Sequence, residues 1–379
     1  MRLRFLAGAS GIAPASWDAL FPPEYPFTRH AFLHALEATG SVSPQEGWIP
    51  HHAVLEDGDG QALAAAPLYL KMHSYGEFVF DFAWANASHR LGRPYYPKWL
   101  LAIPFTPCTG PRVGARSPAL REELVQRLAE RYAEDRASSL HALFLDAGDA
   151  AVADAAGAIP RHDVQFHWHD RDYGDFAGFV ARMSSEKRKK ILRERRRSAE
   201  SGIRFEHRRG DQLSENEWTQ VYALYSNTYE ERGQAPYLTL QFLLQYAGRP
   251  GTEFRLILAY EDARMVGAAI TLQGGDTLYG RHWGAAAYYD GLHFETCYYQ
   301  GIDYCLREGL RHFDAGAQGE HKLARGFEPV VTTSAHWLAD RRLAAAVRRA
   351  LDEERGYVAA AHREYLSRSP FRKNGDGSG

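Results

Sequence analysis

The sequence predicts an α/β protein of two domains, each a mixed β-sheet flanked by helices. Short apolar runs of strand character alternate with amphipathic helical stretches along the chain. The two halves also share an order: a hairpin with an acidic or glycine turn, further extended chain, a helix and a short strand. Finally, 379 residues with 45% hydrophobic and 24% charged side chains form an ordinary globular composition, long enough for two cores.

In chain order, Thr28 reads as a helix cap, with Phe32, Leu33 and Leu36 at helical spacing and Gly40 closing the helix. A hairpin follows, His52 to Glu56 and Ala62 to Leu70 about Asp57-Gly58-Asp59-Gly60. The aromatic stretch Lys71 to Ala85 reads as strand and loop. Its Lys71, His73, Tyr75, Glu77 and Asp81 are candidates for the wall of a binding cleft. The proline-punctuated turn Pro104 to Arg112 offers Arg112 to an anion. Ser117 caps a helix with Leu120, Leu124, Leu128 and Tyr132 on one face, and Leu140 to Leu145 is a buried strand. The run Ala147 to Pro160, rich in Gly, Ala and Asp, reads as turn-like and marks the domain boundary: residues 1–160, then 161–372, then a disordered tail over 373–379.

Val164 to Trp168 is a strand, and Phe176, Phe179, Val180 and Met183 make one helix face. A helix starting at Ser184 or Ser185 carries EKRKKILRERRR. Eight of the eleven residues from Lys187 to Arg197 are Lys or Arg, a local charge of about +7. Lys187, Arg188, Lys189, Lys190 and Arg193 are therefore candidates for a polyanion: tRNA backbone, nucleotide phosphate or lipid headgroup. The pairs Glu186–Lys190 and Lys190–Glu194 are expected to neutralise part of that charge. Helices over Glu217–Tyr229 and Thr239–Tyr246 precede strands Phe254–Tyr260, Met265–Leu272 and Thr277–Trp283. A tyrosine-rich helix, Leu292–Leu310, follows. The strand Arg311 to Asp314 opens into a loop studded with Gly316, Gly319 and Gly326, before the strand Val330 to Trp337. The last forty residues are mostly helix.

That glycine loop concentrates chemistry. Glycines let a backbone turn tightly and approach a ligand, and between them sit Gln318, Glu320, His321, Lys322 and Arg325. There is no GxSxG elbow, P-loop, HExxH or CxxC. His162, His167 and His169 fit no zinc spacing, so no metal is expected. Cys108, Cys297 and Cys305 suggest neither disulfides nor a metal site. What remains is acid/base and electrostatic chemistry of the kind that moves an acyl group onto an amine: a base, an oxyanion donor, and cations for the donor's phosphates. Glu320 or His321 are candidate bases, Asp314 and Tyr279 complete the catalytic candidates, and Tyr279 or backbone N–H groups would serve the oxyanion. Arg281, His282, Trp283, Glu295, Gln318, Lys322 and Arg325 are substrate-binding candidates. Arg281 to Ala286 (RHWGAA) also matches the R-x-x-G-x-A pattern of acyl-CoA pyrophosphate loops.

PLYLKMHSYGEFVFDFAWA, YYPKWLLAIPFTPCTGPR, RKKILRERR, RHWG, HFETCYYQGIDYC and FDAGAQGEHKLARGFEP together resemble the bacterial FemAB-like predicted N-acyltransferases of the GNAT superfamily, from about Pro26 to Trp337. The resemblance implies a pair of GNAT-like domains. It also implies a donor that is aminoacyl-tRNA, as in Fem-type relatives that extend cell-wall precursor peptides, or acyl-CoA, as in other GNAT enzymes. Neither is expected to be tightly bound. Asp314, Gly316, His321, Lys322, Arg325, Gly326 and Phe327 resemble the family's C-terminal F-K-x-x-F-G-type segment, with His321 where relatives often carry an aromatic residue. The expected function is transfer of an acyl or aminoacyl group to an amine of a peptide or small metabolite. The alternative is a non-catalytic binding module holding tRNA or another anionic ligand. A net charge of −2 argues against a nucleic-acid-binding protein in its own right. No apolar run approaches the ~18 residues of a spanning helix, and a cytoplasmic placement is expected.

Overall fold

A computed structural model describes residues 1–317 and 319–372. The chain forms two compact units, Met1–Asp163 with Val331–Ala360, and Val164–Val330 with the chain from Ala361 onward. It thus passes between units at three points. The first lies close to the expected boundary; the return of 331–360 to the first unit was not read from the sequence.

In the first unit, Arg2–Leu6, His52–Glu56, Ala62–Ala66 and Gly114–Ala115 form one antiparallel sheet. A second sheet runs Trp48–Pro50, Leu68–Lys71, Lys98–Leu101 and Ser139–Ala142. Trp99 pairs in parallel with Leu140, and Ala335 pairs antiparallel with Ala142, so this sheet is mixed. The hairpin turn closes because Asp57 Oδ1 accepts from the N–H groups of Asp59 and Gln61. Ser117 caps the helix Pro118–Glu134, which buries Leu124, Val125, Leu128 and Tyr132 against the unit's core.

Three local expectations fail here. Thr28 does not cap a helix: its hydroxyl bonds the Tyr25 carbonyl, while Asp18 Oδ1 takes the His30 N–H at the start of His30–Ala38. Ala147–Ala155 is helical, because alanine is the best helix former and Asp146 caps the Asp149 N–H at 2.8 Å. The aromatic stretch leaves its strand at Lys71 and becomes a helix at Phe82–Arg90.

The second unit is built on the antiparallel run Ile203–Arg209, Phe254–Glu261, Arg264–Gly274 and Thr277–Ala285. His312–Asp314 adds in parallel to the last strand, pairing Tyr279 with Asp314, and residues 167–169 add antiparallel beyond it. The helix Glu215–Glu230, started by a Ser214/Glu217 capping box, lies on Thr277–Ala285. That approach requires Gly284, where a Cβ would stand 1.9 Å from the Leu224 carbonyl oxygen. The predicted tyrosine-rich helix spans 292–308, with a π turn at Glu295–Tyr299. Its Tyr298, Tyr299, Ile302 and Cys305 pack with Phe166, Trp168, Phe179, Phe313 and Phe327. The glycine loop is not open coil: Glu320–Arg325 is a 3-10 helix. Gln318 and the tail 373–379 lie outside the described residues. Among the described residues no helix is long and apolar enough to cross a membrane, and no His/Cys/Asp/Glu group is placed to hold a metal ion.

Candidate functional site

Each unit gathers its own polar constellation. In the first, Lys98 is the hub. Its Nζ donates to Glu77 Oε2 (2.8 Å), Asp81 Oδ2 (2.5 Å) and Ser74 Oγ (2.8 Å), and all four residues are buried. Tyr95 donates to Asp81 Oδ2 at 2.7 Å and lies 3.2 Å from His141 Nε2. The His141 ring meets Ser139 Oγ at 2.8 Å and His336 at 2.7 Å between Nδ1 atoms. Lys71 Nζ donates to the Tyr75 carbonyl and sits 3.8 Å from the Trp48 ring centroid.

Burial dominates the titration of these groups. It pushes Glu77 up to about 7 against the pull of Lys98, and brings Lys71 down to about 7. It also holds His141 neutral, down to about 3, with Lys98 adding to the effect. Asp81 is the exception: burial raises it, but the charge of Lys98 and the hydrogen bonds from Lys98 and Ser74 hold it below the ordinary carboxylate range. His73 is kept neutral by burial and Lys71.

The expected cluster Lys71, His73, Tyr75, Glu77 and Asp81 does come together, with Tyr75 exposed. Lys98, Tyr95, Ser139, His141 and His336 were missed. Their signal was a Lys opening the apolar strand KWLL and a His inside each of two apolar strands. Arg112 departs from expectation. It is fully buried and wrapped in oxygens, from the Leu143 carbonyl (2.9 Å) and the Cys108 carbonyl (2.6 Å) to Tyr25 Oη (3.2 Å), so it clamps its own turn and faces no anion.

The second unit holds a cavity of about 510 Å³. Trp283 and Ala285 line it from the strand, Thr228 from the helix Glu215–Glu230 and Arg232 from the turn that ends it, and Ala287–Phe294 from the connection between the strand and the next helix. His321 stands against two of these residues, its ring centroid 5.5 Å from Phe294 and 6.3 Å from His293. Its Nε2 meets Tyr298 Oη at 2.8 Å. Burial, then Arg325 and Lys322, lower the His321 imidazole below its ordinary value, and His293 is lowered to about 4 by burial and His321.

The neighbours of His321 are anchors. Lys322 is buried, with Nζ on the Gly316 carbonyl. Arg325 donates to the His321 carbonyl (2.9 Å) and to both oxygens of Glu194 (3.2 and 3.1 Å), with its guanidinium 3.5 Å from the Phe294 centroid. Asp314 is buried, accepts from the Gly316 N–H at 3.0 Å and lies 3.7 Å from His167 Nε2. Glu320 is exposed and engaged by Tyr365 Oη (2.7 Å) and Arg368 (3.8 Å). Tyr279 and Arg281 are half-buried on the strand, and the His282 ring packs on Tyr225 at 4.9 Å, where burial keeps it neutral.

RHWGAA ends the strand Thr277–Ala285, with Ala286 just past it; its Gly284 meets the helix Glu215–Glu230, and the cavity lining continues from Ala287. One further expectation is corrected. On the basic helix Ser185–Glu200, Glu194 does not pair with Lys190 but turns inward to Arg325 and Tyr299, because a buried guanidinium needs a carboxylate. Lys189, Lys190 and Arg193 are exposed, with Lys187 and Arg188 half-buried.

Comparison with known proteins agrees with this architecture. The sequence family described as FemAB-like, peptidoglycan biosynthesis/recognition, matches residues 8–373. Solved structures with similar folds include the following three. The C-terminal DUF2156 domain of an Agrobacterium fabrum protein assigned as a lysylphosphatidylglycerol synthetase has TM-score 0.54 and 10% identity, covering 89% of this chain and 94% of that one. FemX has 0.52 and 11%, covering 92% and 100%. L-PGS from Bacillus licheniformis has 0.50 and 10%, covering 89% and 96%. At such identities the likeness is one of fold. No curated protein matches in sequence.

Proposed function

The chain belongs to the FemAB-like family, with two GNAT-like mixed-sheet units, and on that premise we propose that it is an N-acyltransferase. It moves an acyl or aminoacyl group, from a thioester or an aminoacyl-tRNA, to an amine of a peptide or small metabolite. The observation that supports this most is His321, an exposed imidazole kept unprotonated beside a cavity of about 510 Å³.

As the new C–N bond forms, the donor's C–S or ester C–O bond breaks; the amine gives up a proton that a base must take, and the thiol or tRNA hydroxyl leaves carrying a proton in its turn. A neutral imidazole at physiological pH can do so. With Nε2–H donated to the Tyr298 oxygen, Nδ1 carries the accepting lone pair; burial keeps the Tyr298 phenol protonated, so it orients the ring and does not compete as a base. The cavity takes the donor's acyl end against Trp283 and Phe294. The first N–H groups of the helix at Leu292 are donors for the acyl carbonyl oxygen, and the Arg232 guanidinium stands in the same lining as Glu231 and Asp290. In this reading Glu320 is a tether to Tyr365 rather than the base. The exposed row Lys189, Lys190 and Arg193 supplies cations for a polyanionic donor.

The test begins with non-denaturing mass spectrometry and ultraviolet absorbance of freshly purified protein, to find which donor class co-purifies. Transfer from that class to a panel of amines is then measured for wild type and His321→Ala. The expected loss is about 10²- to 10⁴-fold with unchanged thermal unfolding. A variant within threefold of wild type overturns the role of His321, and binding of both donor classes without turnover favours the binding-module alternative.

A further inference from the structure

A groove of about 410 Å³ runs beside the basic helix in the second unit and shares no residue with the cavity near His321. Leu192, Ala199, Ile203 and Phe205 give it apolar walls. Glu295 and Ser198 also line it, 4% and 3% exposed. Glu295 Oε1 is taken by Arg195 Nε (3.2 Å) and Gln300 Nε2 (2.8 Å), whereas Oε2 has no hydrogen-bond partner. The Ser198 hydroxyl has none either. Buried polar atoms without partners are rare and costly, and two lining one groove point to a ligand that satisfies both.

We propose that this groove binds a protonated primary amine carried on an aliphatic chain, its ammonium donating to Glu295 Oε2 and Ser198 Oγ. Charge agrees with this. The Arg195 guanidinium is shared by two carboxylates, Glu295 at 3.2 Å and Asp303 at 2.7 Å, which leaves one negative charge over. Arg196, at the rim, is 3.8 Å from Glu200. Alternatives fit less well. A divalent cation of the calcium type wants six to eight oxygens, and the groove offers one carboxylate oxygen and one hydroxyl. A guanidinium fork wants both carboxylate oxygens, and Oε1 is occupied. An ammonium is a compact donor of three hydrogens and needs neither. The π turn at Glu295–Tyr299, a device frequent at functional sites, begins at this glutamate. The inference does not rest on the transfer reading, since it concerns binding at a separate groove.

The experiment uses the full chain, with n-hexylamine as probe and 1-hexanol as its uncharged counterpart, by isothermal titration at pH 7. Hexylamine is expected to bind at least tenfold more tightly than hexanol. Glu295→Gln should remove at least tenfold of the amine affinity and leave hexanol unchanged, and Ala199→Trp, at an exposed position that fills the groove, should weaken both. Equal binding of amine and alcohol overturns the proposal, as does wild-type amine affinity in Glu295→Gln. If Glu295→Gln fails a thermal-unfolding check, Ser198→Ala and Ala199→Trp decide instead: unchanged amine affinity in both overturns it.

Discussion

Replacing Lys98 by Met removes the ammonium and keeps most of the side-chain volume. Two carboxylates, 2.8 and 2.5 Å from Nζ, then stay buried without their cation. At an effective dielectric of ~20 each contact is worth about 6 kcal/mol gross, but that overstates the loss, because a stranded carboxylate takes up a proton instead. Glu77 is already near that point, raised to about 7. Asp81 is not, and protonating it from an ordinary 3.8 costs about 4.4 kcal/mol at pH 7, at 1.36 kcal/mol per pH unit. The expected destabilisation is therefore about 3–5 kcal/mol at pH 7, or roughly 6–20 °C in the melting temperature of a unit this size. The sign with pH follows. Between pH ~4 and 7 the folded variant binds a proton at Asp81 that its unfolded chain does not, so its stability rises as pH falls, by up to about 1.4 kcal/mol per unit. Wild type lacks this Asp81 term, because its Asp81 pKa is depressed and that contribution is lost only in stronger acid, as pH falls through the folded value; the rise from Glu77 is common to both proteins. Urea unfolding of both proteins at pH 5, 6 and 7.5 checks this, with the slope unchanged as a condition. A loss under about 1 kcal/mol, or one independent of pH, refutes the account. Adding Asp81→Asn and Glu77→Gln to Lys98→Met should recover most of the stability, since an uncharged network needs no cation.

Gly284→Ala should destabilise the second unit by about 3 kcal/mol or more, because the clash is with the backbone oxygen of Leu224; an unchanged melting temperature would sink that reading. The His321 ring should titrate below 6.5 by nuclear magnetic resonance, so that transfer, once assayed, holds its rate down to that lower value and falls only beneath it; a midpoint at or above 6.5 contradicts the base assignment. Lys189→Glu, Lys190→Glu and Arg193→Glu together should leave stability within about 1.5 kcal/mol and shift elution from an immobilised polyanion to lower salt; unchanged elution removes the basic row from donor binding. Lys71 lies near 7 while its unfolded value is 10.5, so the first unit should gain stability as pH rises from about 7 toward 10, until other groups titrate; Lys71→Met should flatten that rise.

Much of this was legible in the sequence, and the failures have physical causes. Strand and helix order came from periodicity and caps, and the cap at Ser117 and the basic helix stand where they were expected. The aromatic cluster with Lys71, Glu77 and Asp81 was found because charged residues among aromatics are conspicuous. Its hub was not, because Lys98 looks like an ordinary strand-end lysine until tertiary packing brings Glu77 and Asp81 to it. RHWGAA ends a strand and its glycine meets a crossing helix, a packing role that a pattern of residue types does not show. What Glu320 and Arg112 touch was not legible because part of each side chain's partner set is long-range: Tyr365 for the first, the Leu143 carbonyl and the Tyr25 hydroxyl for the second. The cavity residues Arg232, His293 and Phe294 carried no signal in spacing at all.

The two constellations also differ in what they can do. A base must reach its substrate, and a group that already serves several buried partners does so only at the cost of leaving them unpaired. Lys98, Glu77, Asp81, His141 and His336 are each under a tenth exposed and bonded chiefly to one another. Such a network responds to substitution through stability. His321 has the opposite character: the residue is exposed, Tyr298 holds its ring in place, and the cations that add to partial burial in lowering its proton affinity are themselves fixed by Gly316 and Glu194. Substitutions should therefore separate into two classes. Those at Lys98 or Asp81 should move the melting temperature, whereas His321→Ala should move transfer and leave the melting temperature in place. A Lys98→Met protein that melts like wild type yet loses transfer would place the chemistry in the first unit and reverse the assignment.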